Sequence, residues 1–71
     1  MYTVDEKPLF TVSLASARVN AGLKQSELAE LLGVTRGTVL NWESGKTAPN
    51  YKQLRKISEL THIPENYIFL P

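Results

Sequence analysis

The sequence contains no cysteine and only one histidine, His62, among its 71 residues. The lack of cysteine excludes disulfide bonds and thiolate metal sites. With one histidine and no cysteine, the chain has little from which to build a catalytic centre. We therefore expect no enzymatic activity, no metal, no cofactor and no small-molecule ligand.

Long apolar runs are also missing. None approaches the roughly 18 residues that a membrane span requires, so we expect no membrane partner. Residues 1–6 include two acids and no apolar stretch, which is not the pattern of a signal peptide. These features predict a cytoplasmic protein, and the length predicts a single domain with a thin core.

Charge is unevenly distributed along a chain whose net charge is only +1. Residues 34–58 contain five basic residues and one acid, Glu43. Such a region fits a phosphate-binding surface, but it equally fits a solvated surface with uneven charge. The same two readings apply to the cluster of Lys52, Arg55 and Lys56.

The apolar spacing predicts an all-α fold, a compact bundle of four to five short helices. An extended arm over residues 1–12, with Phe10 packed on the domain, is expected to precede a domain over residues 13–71. Capping residues and helix stops predict helices over 14–21, 25–32, 36–44 and 51–61, with a short fifth one over 65–69. The expected inward-facing residues are Leu14, Ala17, Ala21, Leu28, Ala29, Leu31, Leu32, Val39, Trp42, Leu54, Ile57 and Leu60.

The informative segment is residues 25–44, where two short helices meet across a turn that begins at Gly33. Helices of two turns are not stable alone, so a shared core must hold them at a fixed angle. Gly33 can adopt positive φ and turn the chain sharply, and Ala29 is small where the helices approach. This is the pattern of a helix-turn-helix unit.

The second helix of this unit has a distinctive outer face, and the residues that lie outward or near the helix start are Arg36, Gly37, Thr38, Leu40 and Asn41. An arginine at position 36 can form two hydrogen bonds with guanine O6 and N7, and Asn41 can pair with adenine. Thr38 offers a hydroxyl and a methyl group, and the methyl is suited to contact with a thymine methyl. Gly37 costs about 1 kcal/mol in a helix relative to alanine, which makes sense where another backbone must approach closely.

Residues 14–69 resemble the Cro and phage-repressor family of helix-turn-helix domains, also called XRE type. The residues that carry the resemblance recur at the family's spacing: Arg18, Leu23, Gln25, Leu28, Ala29, Gly33, Val34, Thr35, Val39, Trp42, Glu43, Gly45, Lys46 and Pro49. The resemblance implies a lambda-repressor-like DNA-binding domain with its helix-turn-helix at about residues 25–44.

The resemblance also implies roles for individual positions. Bases would be contacted in the major groove by Thr35, Arg36, Gly37, Thr38 and Asn41, with Asn41 open between a base, a phosphate and neither. Phosphates would be contacted by Lys24, Gln25, Ser44 and Lys46. Arg18 and Glu43 would form a structural ion pair between the first and third helices. Gly37 departs from the longer polar side chain of many family members, so one base contact would be missing.

The apolar sequence Tyr67, Ile68, Phe69 and Leu70 has two readings. It either closes the core against Leu14 and Leu60 or forms a dimer patch, because apolar surface on a small domain favours a partner.

The function implied by the resemblance is sequence-specific binding of double-stranded DNA by a transcriptional regulator. We expect a phage or prophage Cro-like repressor that binds a pseudo-palindromic operator as a homodimer, at least on DNA, in a bacterial or phage-infected cell. The alternative is an antitoxin-like or adaptor module that uses the same fold for protein contacts, with residues 67–70 and the arm as its working surface. Salt-dependent binding to duplex DNA distinguishes the two.

Overall fold

The computed structural model describes residues 11–71, so nearly all of the predicted arm, including Phe10, lies outside the described residues. The elements follow one another along the chain as β1 Val12–Ser13, α1 Leu14–Asn20, α2 Gln25–Leu32, α3 Arg36–Ser44, α4 Tyr51–Thr61, a 3-10 turn Glu65–Tyr67 and β2 Ile68–Phe69. Within residues 11–71, no helix is both long enough and apolar enough to cross a membrane. The four helices confirm the predicted helical fold.

The helices begin where side chains can accept hydrogen bonds from unpaired backbone N–H groups. The Ser13 hydroxyl accepts from the amide of Ser16 at 3.0 Å, and Thr35 accepts from the amide of Thr38 at 3.2 Å. Asn50 and Gln53 form a reciprocal capping box with two hydrogen bonds of 2.8 Å. These caps set the starts of α1, α3 and α4 locally, as the sequence predicts.

Three helices end on a residue in the left-handed backbone region, and α3 is one of them, with φ of 85° at Gly45. Gly33 ends α2 with φ of 71°, and His62 ends α4 with φ of 60°. Glycine adopts this region without steric cost, whereas a histidine is strained there. His62 is the one residue other than glycine with positive φ among residues 11–71.

The core lies between the inward faces of the four helices. Its largest fully buried side chains are Leu14, Leu28, Val39 and Ile57. Trp42 is buried with them, as the sequence predicts.

The prediction that Leu31 faces the core is wrong, because its side chain is 51% exposed. The α2 face that packs inward is centred between Leu28 and Ala29, both buried. The helical rotation of about 100° per residue turns Leu31 roughly 110° away from that centre.

A small parallel pairing joins the two ends of the domain. Val12 lies opposite Ile68, and Ser13 lies opposite Phe69. The sequence predicted helix as far as Phe69, but the chain forms only a 3-10 turn and then becomes extended. The strand β1 begins at Val12, one residue before the predicted domain boundary. The pairing fixes the C-terminal segment beside the start of α1.

Candidate nucleic-acid interface

The turn between α2 and α3 is held by backbone hydrogen bonds. The amide of Val34 donates to the carbonyl of Ala29 at 2.9 Å, and that of Gly33 donates to Glu30 at 3.2 Å. This pair of bonds is the Schellman arrangement, which closes a helix on a left-handed residue. Two residues later Thr35 caps α3, so the two helices meet at a fixed angle.

A polar cluster fastens the end of α3 to the rest of the domain. The Nε of Arg18 donates to Glu43 Oε2 at 2.7 Å, and its Nη1 donates to the carbonyl of Leu23 at 2.8 Å. The side-chain amide of Gln25 donates through Nε2 to Glu43 Oε1 at 2.9 Å. Arg18 and Glu43 are mostly buried, with side-chain exposures of 13% and 8%. The cluster therefore joins α1, the following loop and the start of α2 to α3.

This cluster also controls the charge beside α3. Glu43 carries a negative charge near the end of α3, and the Arg18 guanidinium lies against it. A charged pair that shares hydrogen bonds in this way is stable in a partly buried setting. The surface at the end of α3 thus keeps the positive charge of Lys46, which is exposed.

The inner face of α3 is buried and its outer face is open. Val39 and Trp42 are in the core, whereas Arg36 and Gly37 are exposed in the first turn. Of the other residues predicted to contact bases, Thr35 is exposed, and Thr38 and Asn41 are half-buried on the flank of α3.

The hydroxyls of Thr35 and Thr38 lie 3.0 Å apart and share a hydrogen bond. The Thr35 oxygen also caps the helix, so this side chain is held in one orientation.

The predicted phosphate-binding residues fall into two pairs that the fold brings together. Lys24 directly precedes α2 and Gln25 is its first residue, whereas Ser44 is the last residue of α3 and Lys46 follows that helix. The contact between Gln25 and Glu43 places the two pairs at one edge of α3. The Ser44 hydroxyl donates to the carbonyl of Asn41 at 3.2 Å, so it is oriented by its own helix.

One exposed residue of α3 is absent from the predicted site. Leu40 lies between Arg36 and Ser44 on the outer face, and it is 47% exposed. An apolar side chain at an outward position of the helix was the signal in the sequence that could have identified it.

The C-terminal apolar segment divides between core and surface. Ile68 is buried in the cluster that contains Leu14, and Leu70 packs against the same cluster. Ile68 is therefore not available to a dimer patch in this structure, which corrects that part of the prediction. Phe69 is 52% exposed, and Tyr67 is half-buried. The exposed part of the predicted patch is thus centred on Phe69.

Residues 11–71 contain no group of three or more histidine, aspartate or glutamate side chains arranged to hold a metal ion.

Comparison with known proteins identifies the family. A profile described as helix-turn-helix matches residues 14–68. The chain is 42% identical over 50 residues to the HTH-type transcriptional activator BcrR of Enterococcus faecalis, a match that covers 70% of this chain and 24% of BcrR. It is 30% identical over 60 residues to the SPbeta prophage-derived HTH-type transcriptional regulator YonR of Bacillus subtilis strain 168, covering 84% of this chain and 56% of YonR.

A third relative, the HTH-type transcriptional regulator YqaE of the same Bacillus strain, is 32% identical over 60 residues, covering 84% of this chain and 52% of YqaE. No solved structure gives a significant match. The matches span from about a quarter to just over half of the length of these relatives. These relatives are HTH-type transcriptional regulators, and the chain belongs to the Cro/C1-type (XRE) helix-turn-helix family.

Proposed function

We propose that this protein binds double-stranded DNA sequence-specifically through α3 and thereby regulates transcription. The observation that carries the proposal is the two-sided character of α3. Its inner face is buried through Val39 and Trp42, while Arg36 and Gly37 are exposed in its first turn. The major groove of B-DNA admits a helix, and a rigidly held helix can present the same side chains to each site.

Base recognition is assigned first to Arg36. Its guanidinium is exposed at the first residue of α3 and can donate two hydrogen bonds to guanine O6 and N7. Thr35 and Thr38 stand beside it, with hydroxyls that are already held together. Asn41 lies about one turn after Thr38 on α3. Its side chain can pair with an adenine or donate a hydrogen bond to a phosphate.

Gly37 contributes through the absence of a side chain. A β-carbon built at this position would meet only the Thr35 hydroxyl oxygen, at 3.8 Å, so packing within the protein does not require glycine. Its φ is not in the left-handed region either. A glycine that weakens the helix without serving the fold fits a close approach of the DNA to the α3 backbone.

Phosphate contacts are assigned to the edge formed by Lys24, Gln25, Ser44 and Lys46. The Gln25 side-chain amide has two N–H groups, of which one donates to Glu43 and the second is left for a phosphate oxygen. Such contacts fix the register of α3 in the groove, whereas the base contacts select the sequence.

The proposal includes a homodimer on a pseudo-palindromic operator. Two copies of α3 about 34 Å apart would read half-sites one helical turn apart. Phe69, exposed at the end of β2, is the apolar residue that supports a contact between two protomers. The prophage origin of YonR supports a Cro-like repressor acting in the bacterial cytoplasm. Repression by occluding a promoter requires only binding to DNA.

The test is selection of bound duplexes from a random library, followed by titration of the affinity against salt. We expect a palindromic consensus and a log–log salt slope that reflects several phosphate contacts per dimer. If the selection enriches no duplex at low salt, the proposal is overturned. That result would instead favour the antitoxin-like or adaptor role, with the surface around Phe69 as its protein-binding site.

A further inference from the structure

Leu40 occupies the middle of the outward face of α3. It lies four residues after Arg36 and four residues before Ser44, so the three side chains follow one another along the helix. Its side chain is 47% exposed. The buried Trp42 is two residues later, and the helical rotation of about 100° per residue directs the two side chains to nearly opposite sides. Leu40 therefore does not contribute to the core in the way that Val39 and Trp42 do.

Gly37 lies three residues before Leu40 and leaves the same face bare. Long side chains in a helix lean toward its N-terminus, so the Leu40 side chain lies beside the space that Gly37 leaves open. The two residues together leave an apolar area on this face, the Gly37–Leu40 shelf, next to the charged Arg36. When α3 enters a groove lined with polar base edges, this shelf needs an apolar group of the DNA to contact.

The major groove offers one such counterpart. Guanine, cytosine and adenine present donors and acceptors there, whereas thymine adds a C5-methyl group. We propose that Leu40 is a specificity-determining residue that contacts the methyl group of a thymine in each half-site. This inference rests on the proposed function and adds to it a base preference that hydrogen bonding by Arg36 and Asn41 does not supply.

The experiment removes single methyl groups from the DNA. In the duplex selected by the wild-type protein, each thymine is replaced in turn by deoxyuridine, which lacks only the C5-methyl. We expect one position per half-site where the replacement weakens wild-type binding about fourfold, the factor that corresponds to about 0.8 kcal/mol for one buried methyl. For Leu40→Ala and Leu40→Gln, the thymine and uracil duplexes should bind equally at that position.

Two control variants test whether the response to uracil belongs to Leu40 itself. Leu31→Ala truncates a leucine of similar exposure, 51%, on α2, and it should keep the fourfold response. Thr38→Ser removes a methyl group but keeps the hydroxyl, and it should keep the response as well. Circular dichroism should give the wild-type helical signal for all four variants, since none removes a fully buried side chain.

The outcomes are distinct. If the uracil response persists in both Leu40 variants, if it disappears in Thr38→Ser instead, or if no thymine position responds, the inference is overturned while the proposed function stands. If no duplex is enriched from the library, the proposed function fails and the inference fails with it.

Discussion

Gln25 and Glu43 are 18 positions apart in the chain, yet the side-chain amide of Gln25 donates a 2.9 Å hydrogen bond to Glu43 Oε1. The bond joins the first residue of α2 to the last turn of α3. Glu43 also accepts from Arg18 at 2.7 Å, so one carboxylate connects three helices. The orientation of the proposed recognition helix thus depends on a polar cluster as well as on apolar packing.

Glu43→Ala should destabilise the domain by about 3 kcal/mol or more. The change leaves the Arg18 guanidinium mostly buried without its charged partner. Removing one partner of a buried ion pair destabilises a protein by about this much. Urea unfolding followed by circular dichroism measures the loss. The double variant Arg18→Met with Glu43→Leu serves as the control and should regain most of the stability, because it removes both charges. A Glu43→Ala protein as stable as wild type would contradict a structural role for the pair.

Arg36→Ala should lose about 1–3 kcal/mol of binding free energy on the selected site and relax the preference for guanine there. The measurement is a titration on the selected duplex and on random DNA. Arg55→Ala is the matched control, since it removes the same charge from an exposed position on α4. It should leave base preference unchanged. Equal losses on both duplexes for Arg36→Ala would argue against base recognition by this residue.

Gly37→Ala should change folding and binding in opposite directions. The added methyl has free space in the protein, so the free energy of unfolding should rise by about 0.5–1 kcal/mol. The affinity for the selected duplex should fall, because the methyl separates α3 from the groove. Chemical unfolding and duplex titration of the same preparation test both parts. Binding as tight as that of wild type would show that no close approach occurs at Gly37.

His62→Gly should stabilise the domain by about 0.5–1 kcal/mol. The residue has φ of 60°, where a side chain with a β-carbon is strained and glycine is not, and the greater freedom of glycine in the unfolded chain offsets part of the gain. The midpoint of urea unfolding reports the change. His62→Ala keeps the β-carbon and should bring no such gain; a similar increase in both variants would mean that loss of the imidazole, and not relief of the backbone, is the cause.

The local features of this protein follow from short stretches of its sequence. Ser13, Thr35 and Asn50 supply acceptors to helix starts next to them in the chain, and Gly33 turns the backbone where it stands. These interactions span three or four residues, so the pattern of residues is enough to predict them. The spacing of the motif residues likewise indicated the family that the helix-turn-helix profile confirms.

Contacts between residues that are distant in the chain depend on the packing of the whole domain. The pairing of Val12 with Ile68 and the joining of Gln25 to Glu43 depend on how helices pack, which no local pattern specifies. The same reason explains the errors at Leu31 and Phe69. Periodicity shows that a residue is apolar at a helical spacing, but the neighbours it meets are chosen by the whole core. The partner strand β1 made Phe69 extended, and the direction from which α3 packs on α2 left Leu31 in solvent.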